Sequence, residues 1–160
     1  MKKILPAVLA LSVFLSAAPE LRAQSKPLGA SLNWGIVTDT SFDFRPFVWT
    51  GCFELDFFLG PSLSISPEAG FIVRALDFSS FILAAGVIVN LHTDAFYLGG
   101  GLTQWWLAGS EAPEGIHTDF MLKINAGFKI SNLKFGAYVV TPFDGLFSDP
   151  VVALTWGFYF

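Results

Sequence analysis

Few residues of this 160-residue chain could do chemistry: 13 Asp and Glu, 9 Lys and Arg, two His and one Cys. The most ordered set is Glu54, Asp56, Glu68, Arg74, Asp119 and Lys123, with Lys129 and Lys134. Within each segment these residues are separated by even numbers of positions, which puts them on one face of a strand. Glu54 and Glu68 flank a turn at Gly60-Pro61, so they would face each other on neighbouring strands. Two carboxylates that close repel each other unless a cation intervenes. Arg74 and Lys123 are the expected compensators, Lys123 by reaching across an interior. Such a pair could serve catalysis or gating. The reading adopted is a salt-bridge network filling a narrow interior.

A second constellation is His117 with Asp77, Ser79 and Ser80. A His beside a Ser and an Asp could build an acyl-transfer site. Neither a nucleophile motif nor a fixed spacing accompanies them, and no catalytic residue is assigned. A third is a set of acids outside the alternating segments: Asp39, Asp43, Asp77, Glu111, Glu114, Asp144 and Asp149, answered there by Arg45. No calcium-loop spacing occurs among them, so no metal site is expected. Cys52 stands alone, without CxxC or Cys/His neighbours, and reads as a buried small side chain on a strand. The sequence implies no cofactor. Phe42, Phe44, Phe47, Phe143 and Phe147 make the same regions unusually aromatic, as expected for packing at a mouth or at headgroup level.

The elements that position these residues follow from the patterning. Residues 1–23 begin with Lys2 and Lys3, continue through the apolar stretch ILPAVLALSVFLSAA, and reach the small residue Ala23. That is a cleavable secretory signal peptide, and it is set aside from the fold. Its removal takes Lys2, Lys3, Arg22 and Glu20, leaving six cations, twelve acids and a net charge of −6. Six scattered cations form no basic patch, so nucleic acid is excluded as a partner.

The chain is 53% apolar and 14% charged, yet no apolar run beyond residue 20 is long enough for a membrane helix. The apolarity is spread as alternation. Eight segments alternate, at about 27–37, 48–58, 62–75, 81–91, 95–107, 118–130, 133–141 and 151–160. The last, VVALTWGFYF, sets Val152, Leu154, Trp156, Phe158 and Phe160 against Ala153, Thr155 and Gly157.

One segment of this kind is weak evidence, but eight in sequence specify an all-β, eight-stranded, antiparallel up-and-down barrel over residues 24–160. The connections alternate between long and short, with tight turns at Gly60-Pro61, His92-Thr93-Asp94 and Ser131-Asn132. In that topology Trp34, Trp49, Trp105 and Trp106 fall toward the long-loop end, and Trp34, Trp49 and Trp106 are assigned to an interfacial girdle. Phe57, Phe58, Phe96, Phe128, Phe135, Phe158 and Phe160 form the second girdle at the turn end. Pro67 within the third segment calls for a bulge or a later strand start.

A soluble carrier barrel would show Lys and Glu on its polar face. Here that face is mostly Gly, Ser, Ala, Thr and Asn, which suits a crowded lumen, while the bulky face suits lipid. The chain resembles the small eight-stranded outer-membrane barrels of Gram-negative-type bacteria. The resemblance spans residues 24–160 through alternation, loop asymmetry and an aromatic last strand. It implies residence in the bacterial outer membrane and contact with membrane lipid and lipopolysaccharide; the sequence leaves the oligomeric state open, with a monomer favoured. The resemblance also implies recognition by the barrel-assembly machinery through Trp156, Phe158 and Phe160. The expected role is structural, or binding and adhesion through the loops, without catalysis. The alternatives are an outer-leaflet lipid-modifying enzyme and a conduit for small hydrophobic ligands or solutes.

Overall fold

The computed structural model describes residues 27–39, 45–113, 115–144 and 150–160. The signal peptide assigned to residues 1–23 lies outside these, as do Phe42, Asp43, Phe44, Glu114, Phe147 and Asp149. The eight alternating segments are eight strands: β1 (Leu28–Thr38), β2 (Val48–Phe58), β3 (Leu63–Arg74), β4 (Phe81–His92), β5 (Phe96–Ala108), β6 (Met121–Ile130), β7 (Leu133–Pro142) and β8 (Val151–Tyr159). Each pairs antiparallel with its sequence neighbours, and β1 pairs with β8, so the sheet is a closed barrel. β6 begins three residues later than the alternation suggested, which leaves Asp119 and Phe120 before the strand.

The registers define how the barrel is wound. From Phe96 on β5, successive partners are Phe128, Phe135, Trp156, Trp34, Gly51, Phe71, Leu83 and then Trp106, again on β5. The circuit returns ten residues further along the same strand (106 minus 96), so the shear is ten. Eight strands with that shear, a rise of about 3.3 Å and a spacing of about 4.8 Å tilt by roughly 40°. A row of paired residues therefore climbs about 25 Å in one turn, the height of a lipid-facing band.

This winding corrects the girdle assignment. Trp34 is the fourth of eight steps and lies midway up the wall beside Trp156, with its ring edge-on to Phe158 at 5.8 Å. Trp49 and Trp106 lie toward the loop end, near the ends of their strands. Trp105 has the inward parity of β5 and packs inside the barrel. Strand alternation assigns a face, but height depends on the summed registers.

The bulky face is the outer one. Leu32, Phe53, Ile65, Val87, Leu98, Ile124, Leu133 and Leu154, one from each strand, are all exposed. The inner face is divided. Toward the loop end it is apolar, with Val37, Ile72, Met121, Val140 and Ala153 packed together and Trp105 against them. Toward the turn end it is polar and charged. The alternation pointed to small polar residues along the whole lumen and missed the apolar half.

Pro67 needs neither a bulge nor a later start. The β2–β3 ladder skips its pairs at Leu55 and Asp56, but resumes in the same register from Glu54–Glu68 to Phe57–Ile65. On its other side Pro67 pairs with Val87.

Candidate functional site

The turn-end half of the lumen gathers the charges. Glu54 and Asp56 point inward from β2, and Glu54 is the cross-strand partner of Glu68. Among the described residues three ion pairs compensate these carboxylates. Lys123 holds both oxygens of Glu68 at 2.7 Å, Lys134 holds Glu54 at 2.5 Å, and Lys129 lies 3.7 Å from Asp56. Three acids and three lysines leave this interior electrically balanced. Burying a charge is tolerable only with such pairing and with hydrogen bonds to the remaining lone pairs.

The small polar residues of the same face supply such bonds to Glu54 and to Asp56 Oδ1, whereas among the described residues Asp56 Oδ2 and Lys129 Nζ have no hydrogen bond, only their 3.7 Å ion pair. Ser66 donates to Asp56 at 2.5 Å, and Asn90 donates to Ser66 at 2.8 Å and to Glu54 at 3.3 Å. Lys134 also donates to Ser31 at 3.3 Å, and Asn33 donates to Ser31 at 3.0 Å. The lysines lie over aromatic rings, Lys123 at 4.1 Å from the Tyr138 centroid and Lys129 at 3.8 Å from that of Tyr159, contacts worth roughly 1 kcal/mol each. Gly136 makes room for Tyr97, whose hydroxyl occupies the space of an added Cβ and donates to the Phe135 carbonyl at 3.3 Å.

Two expected members of the network are elsewhere. Arg74 has inward parity but ends β3 at the rim, where it is exposed, and Lys134 takes the compensating role expected of it. Asp119 is exposed in the segment before β6. Parity carries an inward residue only as far as the wall extends. Trp156, Phe158 and Phe160 are exposed along the outer side of the last strand and its end.

The sequence pattern puts His92 in a turn, yet it is the last residue of β4 and is buried. Its Nε2 is 2.8 Å from Ser64 Oγ, and its ring packs between Phe58 and Tyr97. The signal was present in the parity, since Asn90 and His92 share a face. This Ser–His contact is not the hydrolytic triad. Asp56 accepts from the two serines, at 3.4 Å from Ser64, instead of orienting the imidazole. Ser64 and Asp56 are also closed to solvent.

At the loop end His117 bridges to Trp106, and its Nδ1 lies 3.3 Å from Gln104 Nε2. Asp77 accepts the Ser79 N–H at 3.0 Å, and that bond with the Ser79 hydroxyl holds its carboxyl below the usual range. The fold thus gives His117 and Asp77 separate partners. Between the two halves of the lumen lies a cavity of about 20 Å³, lined by Cys52, Glu68, Thr103, Lys123 and Tyr138. It has room for about one water molecule. Among the described residues no cluster of His, Cys, Asp and Glu is placed to hold a metal.

No protein-family model and no curated protein matches the chain. Solved structures do. The crystal structure of Neisserial surface protein A aligns with 86% of this chain and 97% of its own, at 10% identity and a TM-score of 0.53. The N-terminal β-barrel domain of Pseudomonas aeruginosa OprF aligns with 86% of this chain and 100% of its own, at 15% identity and a TM-score of 0.52. A de novo designed transmembrane β-barrel aligns with 85% and 98%, at 14% identity and a TM-score of 0.52. The chain has the fold of the small eight-stranded outer-membrane β-barrels.

Proposed function

We propose that this protein is an integral barrel of the bacterial outer membrane that acts through its wall and loops, without catalysis and without conducting solutes. The observation that carries the reading is the filled interior inside an exterior that is apolar along all eight strands except for Gln104 near the loop end. The turn-end half of the lumen is occupied by three buried ion pairs and the loop-end half by packed Val37, Ile72, Met121 and Val140. A space of about 20 Å³ between them supports a plugged barrel in preference to a conduit. Against catalysis stand the burial of the Ser64–His92 pair and the separate partners of His117 and Asp77. The role left to such a barrel is structural support or binding through the loops. Membrane lipid and lipopolysaccharide are its surroundings, and Trp156, Phe158 and Phe160 present the aromatic strand to the assembly machinery.

Heat-modifiability tests the placement. The protein should appear in the outer-membrane fraction as a band that shifts on boiling, and its absence from that fraction would overturn the reading. Planar-bilayer recordings should show no conductance steps. Replacing His117 by Ala should leave phospholipid and lipid A profiles unchanged.

A further inference from the structure

The link between β3 and β4 is held in a conformation that its sequence does not favour. Ala75 and Leu76 both have positive φ, 51° and 60°. Neither is Gly, Asn or Asp, the residues that adopt this region readily. Asp77 N–H donates to the Arg74 carbonyl at 2.9 Å, closing a tight turn around them. Neighbouring links clamp it on both sides. Ala75 N–H donates to the Phe47 carbonyl at 2.8 Å, and Glu111 N–H donates to the Ser79 carbonyl at 2.9 Å. Strained backbone persists where its surroundings over-determine it, and it clusters at functional segments.

This clamped link displays apolar side chains. Leu76 is 60% exposed and Phe78 is 54% exposed. Phe78 is not isolated, because its ring centroid lies 6.1 Å from Phe71 and 5.9 Å from Phe81. Phe71 and Phe81 both have the outward parity of their strands. The three rings therefore continue the lipid-facing wall upward past the ends of the strands. Asp77, between the two apolar residues, is exposed and accepts the Ser79 N–H at 3.0 Å, which gives the same turn a polar side.

We propose that the β3–β4 link is a preformed wedge that rests on the surrounding lipid leaflet, with Phe78 buried at the boundary between headgroups and acyl chains. The occupant of this apolar surface is lipid, because its rings are continuous with a wall that lipid already covers. The strained turn keeps Leu76 and Phe78 presented without any ordering cost on contact. The inference rests on the membrane-barrel reading above.

The test uses site-directed nitroxides in a Cys52→Ser background, with the protein in phospholipid nanodiscs. One label replaces Phe78 through Phe78→Cys. A control replaces Leu98 through Leu98→Cys, an outward residue of β5. Folding of each is verified by its gel shift. At position 78 the collision rate with oxygen should exceed that with a water-soluble nickel chelate, as at position 98. If the chelate dominates at 78 while 98 remains lipid-like, the link stands in water, free for a protein partner or a second copy, and the proposal is overturned. If 98 also reads as aqueous, the membrane-barrel reading itself fails. A Phe78→Trp variant, which keeps an aromatic anchor, gives a second measurement. Its added emission should be quenched by brominated acyl chains, and quenching by aqueous acrylamide alone counts against the wedge.

Discussion

Replacing Lys123 by Met probes the lumen network where it is most constrained. The ammonium lies 2.7 Å from both oxygens of Glu68, and the two side chains are only 9% and 6% exposed. Methionine keeps an unbranched chain one atom shorter than lysine and removes its charge. Glu68 is then an unpaired anion directly across from Glu54, with the Cys52 thiol at 3.7 Å as a weak remaining donor. Removing one partner of a buried pair costs about 3–5 kcal/mol, because the other is left uncompensated. Loss of the contact with Tyr138 adds about 1 kcal/mol. Replacing both partners should cost far less. A Lys123→Met, Glu68→Gln double variant should recover to within about 1 kcal/mol of the parent, since no lone charge remains. Urea unfolding in phospholipid vesicles, read by the unboiled gel band and by tryptophan emission, measures the parent and both variants. A Lys123→Met midpoint equal to the parent, or a double variant as weak as the single, would refute the network as argued.

Neighbouring glycines of the Gly99–Gly101 run should respond in opposite ways. A Cβ at Gly99 would lie 2.0 Å from Asn90 Oδ1 and 2.5 Å from Asn125 Oδ1, so Gly99→Ala should lose about 1–3 kcal/mol in the same assay. Gly100 meets nothing closer than 3.9 Å, and Gly100→Ala should stay within about 0.5 kcal/mol of the parent. Leu154 faces outward on β8 and is 47% exposed. Leu154→Arg should cost about 2–4 kcal/mol in vesicles if it lies near the bilayer midplane, and a neutral effect would disprove the placement. Trp34 and Trp156, being paired midway up the wall, should be quenched most strongly by bromines deep in the acyl chains. Removing both as Phe should abolish that deep component and leave the interfacial one from Trp49 and Trp106.

The fold was legible because period-two alternation over eight segments admits few architectures, and the alternating loop lengths select among them. The lumen was legible in part. Glu54 opposite Glu68, and Lys123 reaching across to meet it, follow from a turn position and from the reach of a lysine. Which lysine meets which acid does not, because those distances depend on a shear of ten summed over all eight ladders. The same sum places Trp34 at mid-height, which no local pattern reports. Arg74, Asp119 and His92 show the remaining limit. Alternation gives the direction of a side chain, but whether wall surrounds it depends on where the ladder stops.

The seam between β1 and β8 constrains how such a wall can come into being. Seven ladders join consecutive strands, whereas this one pairs residues as far apart in sequence as Ser31 and Tyr159, 128 positions (159 minus 31). The chain entropy of that closure is met in one long-range event, which makes the topology slow to form. Until it happens, β1 and β8 each present a row of unpaired amides and carbonyls, and hydrocarbon offers them no partner. In the membrane placement proposed above, a partly inserted open sheet is therefore not a resting state, and crossing the bilayer is coupled to sealing the ring. The reverse holds as well. On the same placement, unfolding would have to unzip the seam against that penalty, a barrier that would make the closed barrel long-lived by its kinetics as well as by its contacts.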